Sequence, residues 1–141
     1  RMLSTHLTFA LPVIDWGILQ ASNGNGSTFL YYFDHTPPGP DEFTRFGAHH
    51  TAEVPYVFST LDRVDRPWEP VDEKLAHIIS GYWTNFVKNG NPNGKNLPVW
   101  VEFEVTDPLL MKFSTKQQDV LTGMGPIPNQ DAIDALRVVL Y

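Results

Sequence analysis

Histidine and serine are the residue types here best suited to moving protons and acyl groups, so their positions come first. The histidines are His6, His35, His49, His50 and His77. Imidazole titrates near neutrality, at about pH 6.5 unperturbed, so it can take a proton from a hydroxyl and return it to a leaving group. His49 and His50 stand out because they lie beside Gly47, in a loop that follows a strand-like run, and Glu53 comes three residues later. In open α/β sheets, reactive groups collect in loops beyond the carboxyl ends of strands. The spacing predicts that His77 faces solvent on a helix and that His35 ends a strand; His6 lies in an irregular start.

A serine nucleophile needs glycine two residues away on both sides, because the sharp strand-to-helix turn that presents it admits no bulk there. None of Ser4, Ser22, Ser27, Ser59, Ser80 and Ser114 meets that condition; Ser27 has Asn25 and Phe29 at those places. A Gly-Gly-Gly stretch for an oxyanion hole is also missing. Cysteine is absent, which excludes disulfides, thiolate zinc sites and a thiol nucleophile. His49, His50 and Glu53 do not form a metal set: adjacent histidines point apart, and zinc-protease spacing is lacking. Gly24-x-Gly26 lacks the third glycine of a dinucleotide loop and precedes a strand rather than following one.

The elements that must hold these residues follow from the apolar spacing. A helix is predicted from Pro12 to Gln20, with Pro12 at its start, followed by a Gly/Asn loop over 22–27. Thr28 to Phe33 is a continuous apolar or β-favouring run, read as a strand covered on both faces of a parallel sheet. Glu53 to Phe58 is short helix or strand, limited by Pro55. Leu75, Ile78, Ile79, Tyr82, Trp83, Phe86 and Val87 recur at helical spacing. Pro70 at the start, Asp72 and Glu73 in the first turn and Gly90 at the end bound that helix. Val99–Val105 and Leu109–Phe113 are candidate strands, and a last helix from Asn129 would bury Ile133, Leu136 and Leu140.

The chain has 141 residues, 42% hydrophobic and 18% charged, the composition of a folded globular protein. A net charge of −6 without any basic cluster argues against nucleic-acid binding. No apolar stretch reaches the roughly 20 residues needed to span a bilayer. The start at Arg1 carries no signal-peptide pattern and suggests that sequence precedes it. The compartment is not fixed by these features.

Three segments carry a family resemblance. Gly47-Ala48-His49-His50-Thr51-Ala52-Glu53-Val54-Pro55-Tyr56-Val57-Phe58 resembles the catalytic-histidine loop of type-B carboxylesterases and cholinesterases. Leu30-Tyr31-Tyr32-Phe33-Asp34-His35 resembles the last central strand before that loop. Tyr82 to Asn93 resembles the following helix and its Asn-Pro-Asn turn; Trp100 falls where the family usually has Trp-Pro, although here Pro98 precedes it. The resemblance covers about residues 5 to 115. It implies an α/β fold, with residues 1–141 forming the C-terminal part of a single α/β-hydrolase domain whose upstream part is absent. It also implies hydrolysis of carboxylic esters through a serine acyl-enzyme, without cofactor or metal. His50 would be the catalytic histidine, Glu53 a buried support of its loop, and Ala48, His49 and Thr51 neighbours of a small ester substrate. Nucleophile and triad acid would lie upstream, so the chain alone should be inactive. The rival reading is a cholinesterase-like adhesion or interaction domain that has lost catalysis.

Overall fold

The computed structural model describes residues 9–140, apart from the side chain of Leu140; His6 lies outside that range. The described residues form two compact units, residues 9–30, 101–110 and 125–140 in one and residues 31–100 and 111–124 in the other.

In the first unit, helix α1 spans Leu11–Asn23. It begins one residue before the expected start, with Pro12 in the first turn, where a missing N–H costs no hydrogen bond. It also runs into the Ser22-Asn23 pair that was expected to be loop; it stops at Gly24, whose N–H donates to Gln20 O at 2.7 Å. Leu11 and Ile14 pack with Phe103, Leu110, Ile127 and Ile133 in one apolar cluster. Ile133 belongs to the last helix, Gln130–Leu140, which starts within a residue of the expected place. Arg137 of that helix donates to Asp15 of α1.

The second unit holds the candidate site. Strand β1, Tyr31–Asp34, pairs in parallel with β2, Leu109–Lys116, in the register Tyr31 to Met111 and Phe33 to Phe113. Strand β3, Asp119–Pro126, completes the three-stranded order β1-β2-β3. Only Gln117 and Gln118 separate β2 from β3, a turn too short for a parallel crossover, so the sheet is mixed. Two expectations change here. The first strand is four residues long, not six, and is not covered on both faces: Tyr31 and Tyr32 are 37% and 38% exposed. Residues 99–105 form no strand, and the backbone of Trp100 pairs with a side chain instead. Trp100 N–H donates to Asn93 Oδ1 at 2.7 Å and Asn93 Nδ2 donates back to Trp100 O at 2.8 Å.

Between β1 and β2 come two four-residue helices, α2 (Asp41–Thr44) and α3 (Val54–Val57), and then the long helix α4, Pro70–Asn89. Pro70 occupies its first turn and Gly90 closes it in the left-handed region, at φ 69°, which glycine alone adopts without a Cβ penalty. Val71, Leu75, Ile79 and Tyr82 are buried along one stripe, whereas Phe86 and Val87, expected on the same face, are exposed. Beneath the stripe, Tyr82, Trp83 and Trp100 pack edge-on or tilted against Phe113 and Tyr31. Helix α3 packs on α4, which sets the position of the chain leaving the histidine loop.

Candidate functional site

The segment 47–53 is built as two successive turns. Gly47 holds φ 61°, and its carbonyl accepts from His49 N at 2.9 Å and from His49 Nδ1 at 3.3 Å. Ala52 N–H then donates to His49 O at 3.0 Å, closing a four-residue turn with His50 and Thr51 at its centre. Thr51 takes φ 70°, a region that a β-branched residue enters only at a cost. Ala52 is buried and pins the turn from inside. His50 and Thr51 are exposed, Ala48 is exposed, and His49 is half-buried. The five residues singled out from the sequence therefore share one short stretch, and their environments differ: His50 stands outward while His49 folds back on its own backbone.

Glu53 is half-buried rather than buried. Its Oε1 accepts from the Tyr31 hydroxyl at 3.4 Å, a long and weak bond, but one that links β1 to the end of the loop. The Tyr31 hydroxyl is pushed up to about 12, first by burial and then by the charge of Glu53 and the bond to it.

A second, tighter group of side chains lies behind the loop. His35, the residue after β1, is buried, with Nε2 2.7 Å from Asp72 Oδ1 and Nδ1 2.7 Å from Thr115 Oγ1 of β2. The Tyr56 hydroxyl donates to the same Asp72 Oδ1 at 2.7 Å, and the Glu69 N–H donates to Asp72 Oδ2 at 2.9 Å. Burial alone would push the Asp72 carboxyl up; the bonds from His35, Tyr56 and the Glu69 amide outweigh it and hold the group below its ordinary value. An ionised carboxylate only accepts, so His35 must present Nε2–H to it, and on the neutral ring Nδ1 accepts from the Thr115 hydroxyl. The Tyr56 hydroxyl is raised by its burial and by the bond to Asp72. Sequence reasoning placed Asp72 as a first-turn acid complementing the helix dipole and His35 as a strand end; it joined neither to the other. The available signal was an Asp at the third position of a helix whose preceding residue needs a cap, but that pattern gives no burial.

Among the described residues no group of three or more His, Asp and Glu side chains is gathered as metal ligands, and no helix is long and apolar enough to cross a membrane. A surface groove of about 440 Å3 is lined by Val57, Phe58 and Ser59 with Ser80, Trp83 and Val87 of α4, and residues 47–53 take no part in it.

Comparison with known proteins decides the family. The model of the carboxylesterase family matches residues 1–130. The chain belongs to the carboxylesterase family. Among its relatives, carboxylesterase 4A of Bos taurus is 30% identical over 132 residues, covering 89% of this chain and 23% of the relative. Cocaine esterase of Homo sapiens is 30% identical over 99 residues, 68% of this chain and 17% of the relative. A solved thermophilic PNB esterase superposes with a TM-score of 0.78 at 23% identity, covering 96% of this chain and 26% of that one. The fold shared with that structure is the α/β-hydrolase fold, of which the parallel β1–β2 pair, the loop and α4 are a portion. This carboxylesterase chain spans roughly a quarter or less of the relatives it matches.

Proposed function

We propose that the protein of which this chain forms a part hydrolyses carboxylic esters through a serine acyl-enzyme, with His50 as general base and then general acid. The observation that carries this reading is the turn at 49–52, which holds His50 exposed beyond the end of a parallel strand in a member of the carboxylesterase family. His50 takes the serine proton as the oxygen attacks the ester carbonyl, then gives it to the departing alkoxide. Water enters, loses its proton to His50, and attacks the acyl-enzyme; the proton returns to the serine as the acid leaves. Glu53 supports the loop through Tyr31 rather than acting as triad acid, and Ala48, His49 and Thr51 border the substrate. Serine, triad acid and oxyanion donors belong to the rest of the hydrolase domain, which also covers apolar residues left exposed here, such as Trp16, Leu19 and Val87. The 141-residue chain alone is inactive on this reading, because none of its serines sits in a Gly-x-Ser-x-Gly elbow.

The test is covalent labelling of the full-length protein with a fluorophosphonate, which reacts only with an activated serine. The expected result is one adduct, on the serine of a Gly-x-Ser-x-Gly, formed in step with loss of esterase activity. Ester turnover that survives complete labelling, or a protein with no labelled serine and no turnover, would contradict the proposal; the latter is what a non-catalytic interaction domain would give.

A further inference from the structure

The buried carboxylate of Asp72 is held by both ends of the histidine loop. His35 enters the loop at the end of β1, and Tyr56 leaves it in α3; residues 36–55, with His50 among them, lie between. Nε2 of His35 and the hydroxyl of Tyr56 each meet the same oxygen, Asp72 Oδ1, at 2.7 Å. The remaining oxygen accepts the Glu69 N–H at 2.9 Å, and this contact alone would serve as a helix cap. A cap needs no burial, and its free oxygen normally faces water; here Asp72 is 1% exposed, and its second oxygen is given over to two side chains from one loop. The assembly is stiff on its other sides as well. His35 is fixed to β2 through Thr115 at 2.7 Å, and the Tyr56 ring lies 5.3 Å from Phe33 and 5.8 Å from Trp68.

We propose that Asp72 is a positioning residue for catalysis: by drawing His35 and Tyr56 onto one atom, it fixes the two ends of the loop and thereby the place of His50. The proposal rests on the reading of His50 as the base. The bonds that hold the Asp72 carboxylate run to the two loop ends and to the Glu69 amide, so it acts through the loop ends. A displacement on the order of 1 Å at a catalytic group costs about a hundredfold in rate, so release of one end registers in turnover and not in substrate affinity.

The experiment compares Asp72→Asn, Tyr56→Phe, the double variant and His50→Ala in the full-length protein, on a small activated ester, with circular dichroism and a melt confirming that each is folded at the assay temperature. Asp72→Asn should lower kcat by roughly 10- to 100-fold with KM within about threefold of the parent. Tyr56→Phe should lower kcat less, and the double variant should fall no further than Asp72→Asn, since Asp72→Asn already releases the end that Tyr56 holds. If Asp72→Asn does not fold, Tyr56→Phe and His35→Gln, which keep the carboxylate, should still show the kcat loss without the KM change. Folded variants with kcat within twofold of the parent, beside an inactive His50→Ala, would overturn the positioning role and leave the esterase reading intact. An active His50→Ala would overturn both.

Discussion

Thr51 holds φ 70° in the turn that presents His50, a conformation that costs a β-branched residue about 1–3 kcal/mol. Glycine would remove that cost but add some freedom to the unfolded chain, of roughly 0.5–1 kcal/mol. Thr51→Gly should therefore stabilise the full-length protein by about 1 kcal/mol in urea unfolding, and an unchanged or lower stability would mean that the threonine side chain makes contacts outweighing the strain. At this scale the sequence was informative about type and place. The place of His50 and its neighbours in a loop after a strand was legible from Gly47 and the strand-like run before it. The different settings of His49 and His50 were not legible, since they depend on which ring folds back to the Gly47 carbonyl. Nor was the union of His35 with Asp72, 37 residues apart in the chain, because neither residue carries a local mark of burial.

Helix α4 shows why elements were easier to read than their environment. Its ends came from Pro70 and Gly90 and its face from Leu75, Ile79 and Tyr82, all local signals. The strands did less well. Residues 99–105 have the composition of a strand, but at Trp100 the Asn93 side chain takes the backbone pairing that a neighbouring strand would supply. Strand β3 went unanticipated, and its Gly123, Gly125 and Pro126 are residue types depleted in strands. The first turn of α4 also makes a measurable claim about acid. The carboxyl of Asp72 lies below its ordinary value of 3.8 in the fold, so the stability it confers is complete above about pH 4 and is lost as pH falls through the folded value. Asp72→Asn should cost about 1–3 kcal/mol in urea unfolding at pH 6. That gap should narrow on acidification below about pH 4, as the unfolded chain's carboxyl takes up its proton and the folded one follows at lower pH. A gap that stays constant or widens on acidification would show that the carboxylate is not what Asp72 contributes.

The chain as a whole belongs to the carboxylesterase family and leaves several large apolar side chains exposed. Val13, Trp16 and Leu19 of α1 and Val138 and Val139 of the last helix are all at least half exposed. The family and the α/β character were legible from three motifs in order, but the division into two compact units was not, since no linker or composition change marks it. On the proposed reading, what the chain contributes to chemistry narrows to one side chain, His50, and its neighbour provides the control. In the full-length protein, kcat on a small activated ester should fall by roughly 10⁴- to 10⁶-fold in His50→Ala, as in serine-hydrolase triads, while His49→Ala keeps the chemical step and alters mainly KM. Equal losses in the two variants, a larger loss in His49→Ala, or an active His50→Ala would contradict the assignment of His50 as the base.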